Sequence, residues 1–234
     1  MRRVEAGPGA LSLLARAFDG SLLAAGARAD AAARASAFAD LALRHAEPGR
    51  SYHTFRHVAE MLTAVRLLVA ADRNRARSGG RPYGDVCLAW PDPACVLAVF
   101  FHDAVYDTRA GDNEARSGEL AVATLTALQC PGSLVGDVDR LVRATRTHAS
   151  TEPDEAVVND ADLRVLARPA PEYDRYVRRI RREYAWVSPE QWISGRAAVL
   201  CSLLENGVYA TLWGSRHWES AAHANLSREL AGLR

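Results

Sequence analysis

The chain has 234 residues, of which 49% are hydrophobic and 24% are charged, a composition typical of a globular protein. Its formal net charge is +1, so no overall attraction to a nucleic acid polymer or to an anionic membrane surface is expected. No apolar run approaches the roughly 20 residues that a membrane span needs, and the first residues lack the apolar segment of a secretion signal. We therefore expect one cytoplasmic domain over residues 1–234.

The first part of the chain predicts three helices followed by a loop. Residues 10–46 alternate apolar and charged residues at helical spacing, which predicts a short and a longer helix with a break near Asp19-Gly20-Ser21. A third helix is predicted over about residues 52–71, with Ser51 as its cap. The segment 73–93 is rich in Arg, Gly and Pro, which predicts a mobile surface loop.

The next stretch ends in a histidine and an aspartate. Residues 94–101 are almost entirely apolar, which predicts a helix buried on most sides that carries His102 and Asp103 into the interior. A buried carboxylate needs a cation, hydrogen-bond donors or a metal ion as its partner. Imidazole and carboxylate together suit Mn, Fe, Zn, Ni or Mg. An isolated pair of this kind more often bonds internally or caps its helix, so its meaning depends on other residues.

The rest of the chain predicts further helices and no strand. They are expected over about 113–130 with Asp112 or Asn113 as cap, over 134–146, around 157–166, over 173–186, from a capping box at Ser188 to Asn206-Gly207, and over 219–233. The sequence therefore predicts an all-α fold of roughly nine or ten helices. The four cysteines Cys87, Cys95, Cys130 and Cys201 form no C-x-x-C pair, which favours free thiols over a zinc site or a disulfide framework.

Four residues in a fixed order carry a resemblance to a known family. His57, then His102 and Asp103, then Asp162 resemble the metal ligands of the HD-domain superfamily of metal-dependent phosphohydrolases, whose fold is an all-helical bundle. The neighbouring residues agree with the family at His57-Val58-Ala59-Glu60, Phe101-His102-Asp103-Ala104-Val105-Tyr106-Asp107 and Asp160-Ala161-Asp162-Leu163. Tyr52-His53, the stretch 106–114 and Gly195-Arg196 further resemble an uncharacterised bacterial branch of predicted phosphohydrolases. The resemblance covers about residues 50–205.

The resemblance implies one divalent ion, with a second one possible, held by His57, His102, Asp103 and Asp162. The ion is Mn, Co, Ni, Mg, Zn or Fe, and it would activate a water that attacks a small phosphorylated metabolite or nucleotide. His57 is preferred to His53 as the ligand because the family's histidine is followed by Val-Ala. His53, four residues earlier, is expected on the same helical face and is assigned to the substrate phosphate or to orienting a ligand.

The last metal ligand and the acid–base residues leave alternatives. Asp162 is preferred to Asp160, which is expected to cap a helix or to support the ligands. Asp103 is assigned to catalysis as well as to the metal, and the general acid is left open among His148, Glu114 and Asp107. A protonated His148 just past a helix end would also suit the negative end of the helix dipole, without any catalytic role.

Phosphate contacts are predicted from arginine side chains. The candidates are Arg56, Arg116, Arg143 and Arg146. All 29 basic residues of the chain are arginine, so their number alone is not a sign of phosphate recognition. Arg143 and Arg146 are also explained by the preference for cations at the end of a helix.

Two other functions remain open on the same scaffold. Some HD-type proteins resemble mixed-valent diiron oxygenases, in which further histidines between the His-Asp pair and the last aspartate hold a second iron. This chain has only His148 between Asp103 and Asp162, which favours a single metal or an incomplete second site. The other possibility is a metal- or ligand-binding module without turnover. The oligomeric state cannot be predicted.

Overall fold

A computed structural model describes residues 8–77 and 92–233, and within these ranges the regular elements are eleven α-helices and one 3-10 turn, without a strand. The elements are α1 (Pro8–Ala24), α2 (Ala31–Arg44), α3 (Phe55–Arg77), α4 (Pro93–Phe101), α5 (Asn113–Ala127), α6 (Gly132–Ala144), α7 (Pro153–Leu163), the 3-10 turn (Arg164–Ala167), α8 (Ala170–Glu183), α9 (Pro189–Asn206), α10 (Leu212–His217) and α11 (Glu219–Gly232). The all-α prediction is confirmed. The helix that the sequence did not predict is α10, whose six residues are too few to show a periodic pattern.

Helix α4 lies at the centre of the fold. All eight residues of 94–101 are buried, as predicted, and α4 packs against α1, α3, α5, α6 and α7. The side chain of Asp92 accepts a hydrogen bond from the backbone N–H of Ala94 and Pro93 occupies the first turn, so the helix begins where the apolar run begins. The residues that follow α4 therefore emerge inside the bundle.

The predicted break at 19–21 is wrong. Helix α1 continues through Gly20 to Ala24, because Phe18 and Leu22 are four residues apart and both are fully buried on the same face. The chain instead leaves the helix after Ala24, and Asp30 caps α2 by accepting the backbone N–H of Ala33 at 2.8 Å.

Helix α3 begins later and ends later than predicted. It starts at Phe55, four residues after Ser51, so Ser51 does not occupy its N-cap position. The backbone N–H of Ser51 instead donates to the Glu183 carboxylate. The helix continues to Arg77, into the predicted loop. The remainder of that loop, 78–91, lies outside the described residues, as do residues 1–7.

Several boundaries in the second half agree with the sequence. The capping box of Ser188 and Gln191 starts α9, and Gly207, with a φ of 79°, ends it. Asp112 occupies the N-cap position of α5, although its side chain accepts no capping hydrogen bond. Cys95, Cys130 and Cys201 are free, whereas Cys87 is not among the described residues. In the described part of the chain, no helix has the length and apolar character to cross a membrane.

Candidate metal centre

Three predicted ligands lie close together at the C-terminal end of α4. His57 comes from the first turn of α3, and His102 and Asp103 directly follow α4. His102 Nε2 lies 2.8 Å from Asp103 Oδ2 and 3.3 Å from His57 Nε2, and His57 Nε2 lies 4.0 Å from Asp103 Oδ2. Both imidazoles are buried. His57, His102 and Asp103 thus form a group that could hold one metal ion.

Asp162 adjoins this group from α7. Its Oδ1 lies 2.9 Å from His57 Nε2 and 4.0 Å from His102 Nε2. Among the residues that the structure describes, the group compact enough for one ion consists of His57, His102 and Asp103. The structure therefore brings the fourth predicted ligand beside the other three, in direct contact with His57.

The tautomer of His102 suits a metal ligand. Its Nδ1 donates a hydrogen bond to the backbone carbonyl of Val99 at 2.9 Å, so the neutral ring leaves a lone pair on Nε2. That lone pair is directed at His57 Nε2 and at Asp103 Oδ2. His57 Nε2 also contacts Asp162 Oδ1, so this nitrogen either donates to that carboxylate or, with its proton removed, presents a lone pair to an ion. Together with the lone pair on His102 Nε2 and the adjacent Asp103 oxygen, these are donor atoms that suit a divalent ion.

In the absence of an ion, His102 Nε2 binds a proton instead. Burial alone would lower the pKa of His102, but the charge and hydrogen bond of Asp103 and the charge of Asp162 raise it to about 9. The two carboxylates respond in the opposite direction. Burial favours their neutral forms, yet His102 and His53 lower the pKa of Asp103, and hydrogen bonds from His148 and His57 lower the pKa of Asp162. Both stay ionised, as metal ligation requires.

His53 reaches the cluster from the turn before α3. The expectation that it shares a helical face with His57 is wrong, because α3 begins only at Phe55. Its Nε2 nevertheless lies 3.9 Å from Asp103 Oδ2, and its Nδ1 lies 2.6 Å from Glu183 Oε2. Burial opposes the charged ring, but Asp103 and Glu183 together raise the pKa of His53. His53 therefore lies between a cluster carboxylate and a second buried carboxylate.

Glu183 is the site residue that sequence reasoning missed. Its Oε1 accepts the backbone N–H groups of Ser51, Tyr52 and His53 at 2.5, 2.7 and 3.1 Å, and its Oε2 accepts the Tyr106 hydroxyl at 3.0 Å. Burial opposes ionisation, but His53 and these N–H groups lower the pKa of Glu183 to about 2. The only sequence signal was an acid in the last turn of the Arg-rich helix α8, where the helix dipole disfavours it.

His148 lies beside Asp162. Its Nε2 is 2.8 Å from Asp162 Oδ2, and its backbone has a φ of 53°. The left-handed conformation is uncommon for a residue with a side chain and often marks a functional position. His148, a predicted candidate for the general acid, thus lies in contact with Asp162 at the edge of the cluster, and its catalytic role stays a prediction.

Asp160 has a structural role that fits its predicted use as a cap. Its carboxylate accepts the backbone N–H groups of Ala210 and Thr211 at 2.8 and 2.9 Å, at the entry to α10. Burial raises its pKa to about 6, although these hydrogen bonds oppose the change. A Cβ added at Gly214 would lie 2.5 Å from Asp160 Oδ2, so only glycine lets α10 pack this closely.

The other candidates have partners elsewhere or none. Arg56 pairs with Glu60, Arg143 with Asp139, and Arg116 lies 4.0 Å from Asp112. Asp107 accepts the backbone N–H of Arg109 in the turn after the cluster. The side chains of Arg146, which is exposed, and Glu114, which is half-buried, have no hydrogen-bond partner among the described residues. Their predicted roles in binding or acid catalysis stay predictions.

A scan against protein-family models, a search of curated proteins and a search of solved structures each found no match to this chain. The resemblance to HD domains therefore stays a prediction, carried by the residues themselves.

Proposed function

We propose that the protein is a metal-dependent phosphohydrolase acting on a small phosphorylated metabolite or nucleotide. The observation that carries the proposal is the convergence of His57, His102 and Asp103 on one point, with Asp162 in contact with His57. Two neutral imidazoles and two carboxylates would balance the charge of a divalent ion and suit borderline and hard metals. The cytoplasmic location and the HD-type arrangement belong to the same proposal.

The chain's own residues would supply the rest of the chemistry. A bound ion would act as a Lewis acid and lower the pKa of a bound water, which phosphate ester hydrolysis needs near neutral pH. His53 is held by Glu183 with its other nitrogen toward Asp103, a position from which it can donate to a substrate oxygen. His148 is held beside Asp162 and can exchange a proton with substrate or solvent, because its side chain remains 28% exposed.

One observation favours a second candidate, an HD-type iron-dependent oxygenase. Asp162 uses one oxygen toward His57 and the other toward His148, an arrangement in which one carboxylate could serve two metal positions. The phosphohydrolase is preferred because His148 is the one histidine that the chain offers between Asp103 and Asp162. A non-catalytic module that binds a metal or ligand would show neither reaction.

The test is an activity screen on the purified full chain. Phosphatase activity against nucleotides, nucleotide sugars and other diphosphates is measured after metal removal and again after adding back Mn, Co, Ni, Mg, Zn or Fe singly. Metal-dependent phosphate release that is lost in His102→Ala would support the proposal. Oxygen consumption by the iron-loaded protein without phosphate release would favour the oxygenase, and the absence of both reactions would contradict both enzyme proposals.

A further inference from the structure

A narrow cleft opens beside the metal cluster and contains two arginines that the sequence did not single out. His57 and Asp162 line one part of this cleft, and Arg164 and Arg168, from the 3-10 turn and its end, line another. Glu60 of α3 also lines it. The cleft therefore places cationic side chains next to proposed metal ligands.

Arg164 carries a charge that nothing in the described part of the chain neutralises by contact. Its side chain is half-buried, its Nε is buried without a hydrogen-bond partner, and it makes no ion pair with the described residues. Leaving a partly buried cation without a partner destabilises a folded protein. Such an arrangement is usually retained for a function.

The acids near Arg164 are engaged elsewhere. Glu60 Oε1 accepts a hydrogen bond from Arg56 Nε at 2.9 Å. Glu172 Oε2 lies 3.9 Å from Arg168 Nη1, a loose pair one turn apart on the surface. Neither acid makes an ion pair with Arg164. Asp162, the other acid that lines the cleft, contacts His57 and His148, so the charge of Arg164 is available to a ligand.

The guanidinium of Arg164 is also held in place. Its Cζ lies 5.0 Å from the centre of the Trp218 ring, a cation–π distance. A guanidinium packed on an aromatic ring keeps its planar edge of N–H donors free, and that edge matches two oxygens of a phosphate. Arg164 is thus positioned before any ligand arrives.

We propose that Arg164, assisted by Arg168, binds a phosphate group of the ligand in the cleft that it shares with His57 and Asp162. The identification of the group as a phosphate rests on the proposed function. The site itself rests on the unpaired guanidinium and the shared cleft. The proposal implies that the substrates include compounds that carry a second phosphate group in addition to the one that is hydrolysed, such as diphosphates.

The experiment measures binding without turnover. Methylenediphosphonate, a diphosphate analogue that is not hydrolysed, is titrated calorimetrically into the full chain after metal removal. The variant is Arg164→Met, which keeps an unbranched side chain on Trp218 but removes the charge and the donors. The matched control is Arg28→Met, which removes the same charge from an exposed arginine that has no hydrogen-bond partner among the described residues.

The inference predicts that Arg164→Met raises the Kd at least about tenfold, the usual effect of losing a charged hydrogen bond, while Arg28→Met changes it less than twofold. The melting temperature of the ligand-free Arg164→Met protein should equal or exceed that of the wild type. No binding by the wild type, equal Kd values in Arg164→Met and wild type, or equal losses in both variants would overturn the inference. Phosphate-dependent binding through Arg164 without activity in the screen would contradict the proposed function alone.

Discussion

His148 Nε2 lies 2.8 Å from Asp162 Oδ2, whereas His57 Nε2 lies 2.9 Å from the other oxygen of that carboxylate, Oδ1. Asp162 is therefore held from two directions, by a histidine of the proposed metal set and by a histidine outside it. A residue in this position can act on substrate as a general acid, hold Asp162 in place, or occupy a second metal position. The first prediction separates these roles.

Replacing His148 with Ala should lower the turnover rate by about 10²–10⁴, the usual range for losing acid–base assistance. The metal content should stay near one ion per chain, because His57, His102 and Asp103 are unchanged. The measurement is the steady-state rate together with elemental analysis of the same sample. A fall from about two ions per chain to about one would instead assign His148 to a second metal position.

The control for His148 is His148→Gln. The glutamine amide reaches about as far along the side chain as His Nε2 and can donate to Asp162, but it cannot transfer a proton near neutral pH. If His148 acts as an acid, the rate should stay low in the glutamine variant. Recovery of the wild-type rate would show that holding Asp162 is enough, and an unchanged rate in His148→Ala would leave His148 no part in the reaction.

The second prediction concerns His53. Its Nδ1 is fixed by Glu183, and its Nε2 is 3.9 Å from Asp103, too far for a direct hydrogen bond. We expect His53→Ala to retain the metal while kcat falls or KM rises, because the residue would serve the substrate. The measurement is metal content beside kcat and KM, with His57→Ala as the reference for metal loss. Equal metal loss in both variants would show that His53 is a ligand.

The third prediction is a pH dependence of stability that arises from Glu183. Because its pKa is lowered from 4.5 to about 2 in the folded protein, it stabilises the fold above pH 4.5, and this contribution is lost as the pH falls toward 2. The shift corresponds to at most about 3 kcal/mol. Glu183→Gln should therefore lower the free energy of unfolding at pH 7 by up to this amount.

Urea unfolding at several pH values between 7 and 3 measures this effect. The difference between wild type and Glu183→Gln should shrink as the pH falls below 4.5. Glu205→Gln, which changes an exposed glutamate near the end of α9, is the matched control and should show no such difference. A constant difference at all pH values would mean that the carboxylate charge of Glu183 is not what stabilises the turn before α3.

The part of the site that could be predicted from the sequence is the part with a local pattern. The apolar run 94–101 placed His102 and Asp103 at the end of a buried helix, and the structure confirms that burial. The all-α class follows from helical periodicity along the chain. The order of His57, His102, Asp103 and Asp162 led to residues that the structure brings together, although 45 residues separate the two histidines.

The part that could not be predicted depends on contacts between distant segments. Glu183 meets the backbone of Ser51 across 132 positions, and nothing beside Glu183 in the sequence shows that its helix folds back onto the turn before α3. Arg164 is one arginine among 29 basic residues, and only the fold shows that it lacks a partner. From the sequence alone, the exposed Arg116 and Arg146 are as plausible as Arg164 as phosphate ligands.

The central claim is that His57, His102 and Asp103 hold a divalent ion, and metal analysis of Asp103→Ala tests it most directly. The segment should stay folded without the carboxylate, because Arg50 Nη1 donates to the backbone carbonyl of Asp103 at 2.6 Å. Asp112→Ala, which alters an exposed aspartate whose side chain makes no capping bond, is the matched control. We predict about one ion per chain in the wild type and in Asp112→Ala, and almost none in Asp103→Ala with an unchanged circular dichroism spectrum. Full metal occupancy in folded Asp103→Ala, or no divalent metal in the wild type even after loading, would contradict the claim.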